Sequence, residues 1–383
     1  MSELAGSRLY DYLLIETTGI SEPLPVAQTF AFADSQGRRL DDVAQLDTMV
    51  TVVDSEALLP ALKSLQTLQQ SPGGGSHAND TRSLAQLMVD QLEFANVVVL
   101  KKMDRVTAVE AAALFALVRR LNAQCRVIRT THCNVDVSDV VGTALFDMAK
   151  ESTSERWLAE LSSVHTPETD EYGISSFVYR SSRPFHPVRL QELLRCFGSA
   201  PLSELRCSAA ASDAAVVADM EAASPLRTVV RSKGFVWLAN ANGRKIDWHS
   251  VGERVQLEAA EPFLAAVPRD CWSDAERAEA LRLSAVSGFK WDPRFGDRRT
   301  ELVLIGVRME HAAAREALDG ACLHESEMDE YPASWRKLPD PFFGGQAVAA
   351  YFVDEPSVRA HLAPPVATAV YHAQVRRGGA ARL

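Results

Sequence analysis

No stretch of this 383-residue sequence approaches the roughly 20 consecutive apolar residues that a membrane-spanning helix needs. Its longest apolar runs, such as Leu9–Ile15 and Asn96–Leu100, have the length of buried strands, and Met1–Tyr10 holds no apolar core of the signal-peptide kind. No C-x-x-C occurs among the six cysteines at 125, 133, 196, 207, 271 and 322. That scatter fits reduced thiols in a cytoplasmic setting better than a disulfide framework, and it offers no ready-made zinc site. Positive charge is scarce. With 40 Lys and Arg against 50 Asp and Glu, the formal net charge is -10, which argues against nucleic acid as the main partner, because phosphate binding needs a basic field.

What is present suffices for two domains, each with its own core. The first 150 residues alternate strands with helices. Tyr10–Ile15 reads as a strand ending in Glu16-Thr17-Thr18-Gly19, Met49–Val53 as a second ending at Asp54, and Asn96–Leu100 as a third ending in Lys101-Lys102-Met103-Asp104. Cys125–Ile128 is a weaker fourth, and helical patterns occupy Ser83–Phe94 and Ala108–Leu121. Apolar strands separated by helices predict a parallel sheet covered on both faces. Ligands of such sheets bind beyond the carboxyl ends of the strands, where all three polar turns are expected. The Gly-rich break Gln70–Asp80 follows no strand and lacks a Gly-Lys-Ser/Thr, so it reads as a surface loop.

A polar linker is expected over 151–172. Beyond it, Gly173–Arg180, Thr228–Leu238, Val251–Leu257 and Glu301–Val307 read as strands, and Pro187–Phe197, Asp274–Ser284 and Glu310–Leu323 as helices. That order predicts a smaller α+β domain of split-βαβ, ferredoxin-like type over 173–345. It is interrupted by an Ala- and Ser-rich insertion at 199–225 and followed by a tail at 346–383.

Several segments together resemble the CobW-type GTPases, P-loop proteins linked to the delivery of zinc, cobalt and related metals. They are YDYLLIETTGISEPLPVAQTF at Tyr10–Phe30, LDTMVTVVDS at Leu46–Ser55 and LMVDQLEFANVVVLKKMD at Leu87–Asp104. In the second half come HTPETDEYGISSFVYRSSRPFHP at His165–Pro187, RSKGFVWLA at Arg231–Ala239 and WDPRFGDRRTELVLIG at Trp291–Gly306. LDGACL at Leu318–Leu323 and LPDPF at Leu338–Phe342 complete the set. The family also carries a G-x-x-G-x-G-K-T phosphate loop and a C-x-C-C metal motif, and these 383 residues contain neither. The resemblance therefore implies an incomplete P-loop GTPase sheet over 1–150: a truncated product, a gene model begun at an internal Met, or a degenerate relative.

On that resemblance, Glu16 would hold a magnesium-bound water and the Gly19 N–H would sense the γ-phosphate, making them the catalytic pair. The plainer reading is that Thr17, Thr18 or Ser21 caps the next helix. Lys102 and Asp104 align with the family's N-K-x-D guanine-reading motif, the carboxylate accepting from the guanine N1 and N2 edge and the lysine stem lying over the base. Lys101 stands where the family has Asn, and an ammonium only donates. A solvated loop is the alternative for this turn. Thr130 follows the fourth strand, where such proteins complete the base pocket. Asp54 reads as a turn or capping residue, and His132 beside Cys133 lacks the second pair a metal site needs. Gly296-Asp297-Arg298-Arg299 could grip a client's carboxylates or form an internal salt-bridged turn, and Trp237, Trp272, Trp291 and Trp335 read as core.

The resemblance implies a GTP-dependent metal chaperone, zinc first, passing metal to a client protein through the C-terminal domain. GTP and Mg2+ binding would be weak or lost in these residues alone, with Zn2+ implied although its ligand motif is absent. A non-catalytic interaction protein and a cobalt-handling relative are the alternatives. Lacking the family's first strand, Tyr10–Ile15 is expected to form an exposed apolar edge that promotes self-association.

Overall fold

The computed structural model describes residues 10–17, 19, 21–31, 39–62, 83–147, 173–200, 224–285, 291–345, 351–356 and 369–372. The expected linker, the Gly-rich break and most of the Ala- and Ser-rich insertion lie outside these residues. The chain divides into two compact units, Met1–Ser175 with Pro201–Ser212, and Ser176–Ala200 with Asp213–Leu383.

In the first unit a parallel sheet runs β1 (Val50–Asp54), β2 (Val97–Lys101), β3 (Arg126–Arg129), in that spatial order. The β-branched run Val97-Val98-Val99 suits the pleat. All four residues Val97 to Leu100 are buried, so both faces of β2 are covered. The helices are α1 (Pro23–Ala31), α2 (Leu58–Leu62), α3 (Leu84–Glu93) and α4 (Ala108–Leu121). Ser83 caps α3 through Gln86 N–H. Thr107 and Glu110 form a reciprocal capping box on α4, which leaves fewer donors unsatisfied at its start. Asn122 then joins three elements: its Nδ2 donates to the carbonyls of Leu92, Glu93 and Ala95, and its Oδ1 accepts from Gln124 and Cys125 N–H.

The expected strand at Tyr10–Ile15 does not form. Residues 12–17 carry no regular structure, and Tyr10, Tyr12, Leu13, Leu14 and Ile15 are exposed. An apolar run becomes a strand only where a ladder partner satisfies its backbone, and none lies beside it among the described residues. It is instead tied down by a side chain: Tyr12 donates to Asp47 Oδ2 at 2.6 Å.

The second unit holds a six-stranded sheet, the second of the two architectures. In chain order its strands are β4 (Ile174–Ser181), β5 (Val229–Val236), β6 (Arg244–Val251), β7 (Arg254–Pro262), β8 (Thr300–Val307) and β9 (Ala369–His372). In space they run β4-β8-β5-β6-β7-β9, antiparallel at β5–β6, β5–β8, β6–β7 and β7–β9. Helices α5 (Pro187–Leu194), α6 (Asp274–Ala285), α7 (His311–Ala321) and α8 (Glu325–Asp329) accompany it. Buried Leu190 and Leu194 of α5 and Ala314 and Leu318 of α7 share one core with Trp248, Phe197 and Tyr179. Trp237, Phe263, Phe295 and Trp335 form a second.

Two expectations change here. The strand placed at Val251–Leu257 straddles a tight hairpin: Val251 pairs with Arg254, with Gly252 at φ 53° in the turn, so β6 was missing and β7 misplaced. Alternation of Lys245-Ile246-Asp247-Trp248-His249-Ser250 gave the signal. The expected tail at 346–383 supplies Tyr351 to the core and β9 to the sheet edge.

Candidate functional site

Parallel pairing places the ends of β1, β2 and β3 side by side. Asp54 pairs in register with Lys101, and the chain leaves β1 by donating Ser55 N–H to the Lys101 carbonyl at 3.1 Å. After Lys101 the backbone turns sharply. Lys102 adopts φ 59° and ψ 40°, a left-handed conformation uncommon for a residue with a side chain, and Met103–Arg105 make a single 3-10 turn. The Lys102 carbonyl accepts from Arg105 N–H at 3.0 Å. Met103 N–H reaches across to the Thr130 carbonyl at 3.3 Å, and Thr130 N–H donates to Leu100 O at 2.9 Å. Buried Thr130 also closes its own loop by donating Oγ1 to Asn134 O at 2.8 Å. Asp104 stands exposed on the crest of the turn.

The structure thus brings Lys102, Asp104 and Thr130 together on one rim, and it adds Asp54. Oδ1 of Asp54 accepts from Glu56 N–H, the turn-forming role expected of it. Its Oδ2 lies 2.5 Å from Lys102 Nζ. The Lys102 ammonium, helped by the Glu56 N–H, holds the Asp54 carboxyl below its ordinary value against partial burial. Arg105 and Glu56 add a second, exposed ion pair at 3.4 Å. An exposed carboxylate beside a fixed lysine stem can accept from a planar donor edge and cover its face with methylenes. Residues 132 and 133 both have positive φ, and among the described residues no group of three or more His, Cys, Asp and Glu is placed to hold a metal ion.

Glu16 and Gly19 are not part of this rim. Both are exposed. Gln91 Nε2 donates to the Gly19 and Ser21 carbonyls at 3.2 and 2.9 Å, while the Gln91 carbonyl accepts from Thr51 Oγ1. Together with Tyr12 on Asp47, these anchors lie toward the start of β1, whereas Asp104 and Thr130 lie past the far ends of their strands.

In the second unit the Gly296–Arg299 turn is internal. Buried Asp297 accepts from Leu264 and Ala265 N–H, and buried Arg298 donates to the Asn242 and Phe295 carbonyls. Arg299 pairs with Glu301. Trp237 and Trp335 are fully buried and Trp272 packs beside them, but Trp291 is 37% exposed and takes Arg269 over its ring.

Comparison with known proteins gives these two units a lineage. The description "CobW/HypB/UreG, nucleotide-binding domain" matches residues 1–129, and "Cobalamin synthesis protein cobW C-terminal domain" matches residues 174–322. A zinc-regulated GTPase metalloprotein activator 1 of Dictyostelium discoideum is 33% identical over 343 residues, covering 89% of this chain and 66% of that protein. A zinc chaperone of Mycobacterium tuberculosis is 27% identical over 304 residues, covering 79% of this chain and 63% of that protein. The chain therefore spans just under two thirds of these relatives. Among solved structures, a Zn(II)-bound YjiA GTPase from E. coli and its Zn(II)-bound triple mutant are 18% identical to it. Their TM-scores are 0.29 and 0.30, and each match covers 84% of this chain and 74% of that one. Likeness of that degree adds nothing to the fold drawn from the ladders above. Carrying the nucleotide-binding domain and then the C-terminal domain of that lineage, the chain belongs to the CobW family.

Proposed function

We propose that the chain is part of a GTP-dependent metal chaperone, with zinc as cargo and a metal-requiring client protein as recipient. One observation carries the reading. The turn after β2 and the end of β3 meet through Met103 N–H on the Thr130 carbonyl, placing exposed Asp104 at the carboxyl ends of a parallel sheet, where α/β proteins take their ligands. The names of the relatives from Dictyostelium and Mycobacterium support zinc.

In this reading Asp104 accepts from the N1 and N2 edge of guanine, Lys102 lays its stem over the ring, and Thr130 fixes the loop beside them. Nothing in the 383 residues supplies a Gly-Lys-Ser/Thr to neutralise phosphate, so the base side of the site stands without its phosphate side. We expect these residues alone to bind guanine nucleotides weakly and to hydrolyse GTP very slowly or not at all. Lys101 in place of the family's Asn favours a second reading, a docking protein that has left nucleotide chemistry behind.

Titration of the full chain with a fluorescent GDP, competed by GDP, XDP and ADP, tests the proposal. Guanine should outcompete adenine, and Asp104→Asn should shift preference from guanine to xanthine, whose 2-oxo group needs a donor. Equal competition by all three, or an Asp104→Asn variant that behaves as wild type, would leave the docking reading standing. GTP turnover at the rate of an intact relative would contradict the expected loss of hydrolysis.

A further inference from the structure

We propose that Asp54 is a positioning residue for the base-reading turn: by holding Lys102 Nζ it fixes the left-handed bend that presents Asp104. The inference rests on the nucleotide reading above and adds a residue from a different strand to it.

The two carboxylate oxygens of Asp54 have separate partners. Oδ1 accepts from Glu56 N–H at 3.1 Å, which is all that a turn-forming aspartate requires. Oδ2 is left for Lys102 Nζ at 2.5 Å, on the turn that follows the neighbouring strand. The contact joins the last residue of β1 to the turn after β2, Asp54 itself standing in the last ladder pair opposite Lys101.

Its effect is local. The Lys102 side chain is 40% exposed and that of Asp54 23%, and an ion pair this open to water adds little to global stability. What it can determine is the course of residues 102 to 104. Lys102 sits at φ 59°, a conformation that is unfavourable for a residue with a Cβ and persists only where its surroundings enforce it. Besides Ser55 Oγ on Met103 Sδ at 3.3 Å and the exposed Arg105–Glu56 pair, three restraints act at Lys102 and its neighbour: the Lys102 carbonyl takes Arg105 N–H, Met103 N–H is held by Thr130 O, and the Lys102 ammonium is held by Asp54. The first two are backbone bonds that any sequence could make. The third depends on Asp54. An ammonium anchored at the end of β1 also sets the path of the lysine stem, so Asp54 acts on both parts of the reader, the stem and the carboxylate two residues on.

A residue that merely stabilised the fold would weaken all nucleotides alike. A positioning residue should weaken discrimination at the edge that Asp104 reads. The measurement is therefore the ratio of GDP to IDP affinity, since inosine lacks the 2-amino donor, read by competition against fluorescent GDP on the full chain. Wild type, Asp54→Asn, Lys102→Met and the double variant are compared, with thermal melting confirming that each is folded. Asp54→Asn should lower the ratio about tenfold, on the scale of one charge-assisted hydrogen bond. The double variant should be no worse than Lys102→Met, because Asp54 works through that lysine. Should Asp54→Asn fail to fold, Lys102→Met alone must show the lowered ratio. An unchanged ratio in Asp54→Asn, or additive losses in the double variant, overturns the proposal while leaving the base site intact. A wild-type chain that does not discriminate GDP from IDP removes the base site itself, and this inference with it.

Discussion

Tyr12 donates its hydroxyl to Asp47 Oδ2 at 2.6 Å across 35 positions of sequence. The acceptor is already well supplied: Thr48 Oγ1 donates to the same oxygen, Thr143 N–H lies at 3.1 Å, and Ala144 N–H reaches Oδ1 at 2.7 Å. One carboxylate thus ties together the exposed segment at Tyr12, the start of β1 and the loop after β3.

That arrangement gives a pH dependence. Burial by itself would raise the Asp47 carboxyl, but the donors from Thr48, Tyr12, Ala144 and Thr143 outweigh it and bring it down to about 2. A group depressed on folding contributes stability that is fully present above its unfolded value and is lost as pH falls through the folded one. The contribution should disappear between about pH 4 and pH 2. Asp47→Ala should cost about 1–2 kcal/mol at neutral pH, toward the low end because the site is half-open to water. Acid melts of wild type and variant should converge by about pH 2; a gap that persists there would assign the loss to packing instead.

Asn122 makes a stronger case for stability, since its amide is buried and serves five backbone groups. Asn122→Leu keeps the branching and the number of side-chain heavy atoms but strands those carbonyls and N–H groups. The expected loss is about 3 kcal/mol or more, because a buried polar group deprived of its partner pays its full desolvation penalty. Urea denaturation followed by far-UV circular dichroism would show a lowered midpoint. A change under about 0.5 kcal/mol would mean that water replaces the amide there.

How much of this was legible beforehand depends on the range of the interaction. The capping box at Thr107 and Glu110 and the apolar run from Val97 are local, and both α4 and β2 fall close to where pattern puts them. The partners of Asn122 lie in another helix and at the next strand, and nothing in the sequence around it marks them. Tyr10–Ile15 shows the opposite failure: the local pattern is strand-like, but pairing is a property of neighbours. At the site, pattern placed Lys102, Asp104 and Thr130 at adjacent strand ends. The Asp54–Lys102 contact spans two strands, so its second carboxylate oxygen could not be assigned from sequence.

In the second unit, Gly234 tests how closely β5 and β8 approach. It has φ 142°, and a Cβ there would meet the Glu301 carbonyl oxygen at 2.1 Å. Backbone cannot swing aside as a side chain can, so Gly234→Ala must shift the β5–β8 ladder. Five of the six tryptophans (237, 248, 272, 291 and 335) belong to this unit by sequence, and their fluorescence should report a lowered melting temperature. We expect a loss of about 2 kcal/mol or more. A variant that melts with wild type would show that the strands have room to separate.

The five cysteines among the described residues should sort by burial. Cys125 and Cys322 are buried, and burial pushes the Cys125 thiol up to about 11 and raises Cys322 as well. Cys133, Cys196 and Cys271 are exposed. Only the thiolate attacks a disulfide reagent. Ellman's reagent at pH 8 should therefore label the exposed three within minutes and leave Cys125 and Cys322 until denaturant is added, as peptide mapping would confirm. Early labelling of Cys125 would mean that the junction at Asn122 opens on that timescale.

Finally, β1 pairs with β2 on one side, and among the described residues no strand pairs with its other side. Val50 is 38% exposed and Val52 56%, so apolar side chains stand open on a strand whose outer side meets no ladder among the described residues. Such an edge invites a second copy to add its own strand, and charge on the edge strand is the usual deterrent. Light scattering should show association rising with concentration, and Val52→Lys should reduce it without lowering the melting temperature, because that side chain faces solvent. A chain that stays monomeric across the same range would mean that the edge is covered, and Val52→Lys should then destabilise the fold by burying an ammonium. The two outcomes differ in the sign of one stability measurement, so a single variant separates them.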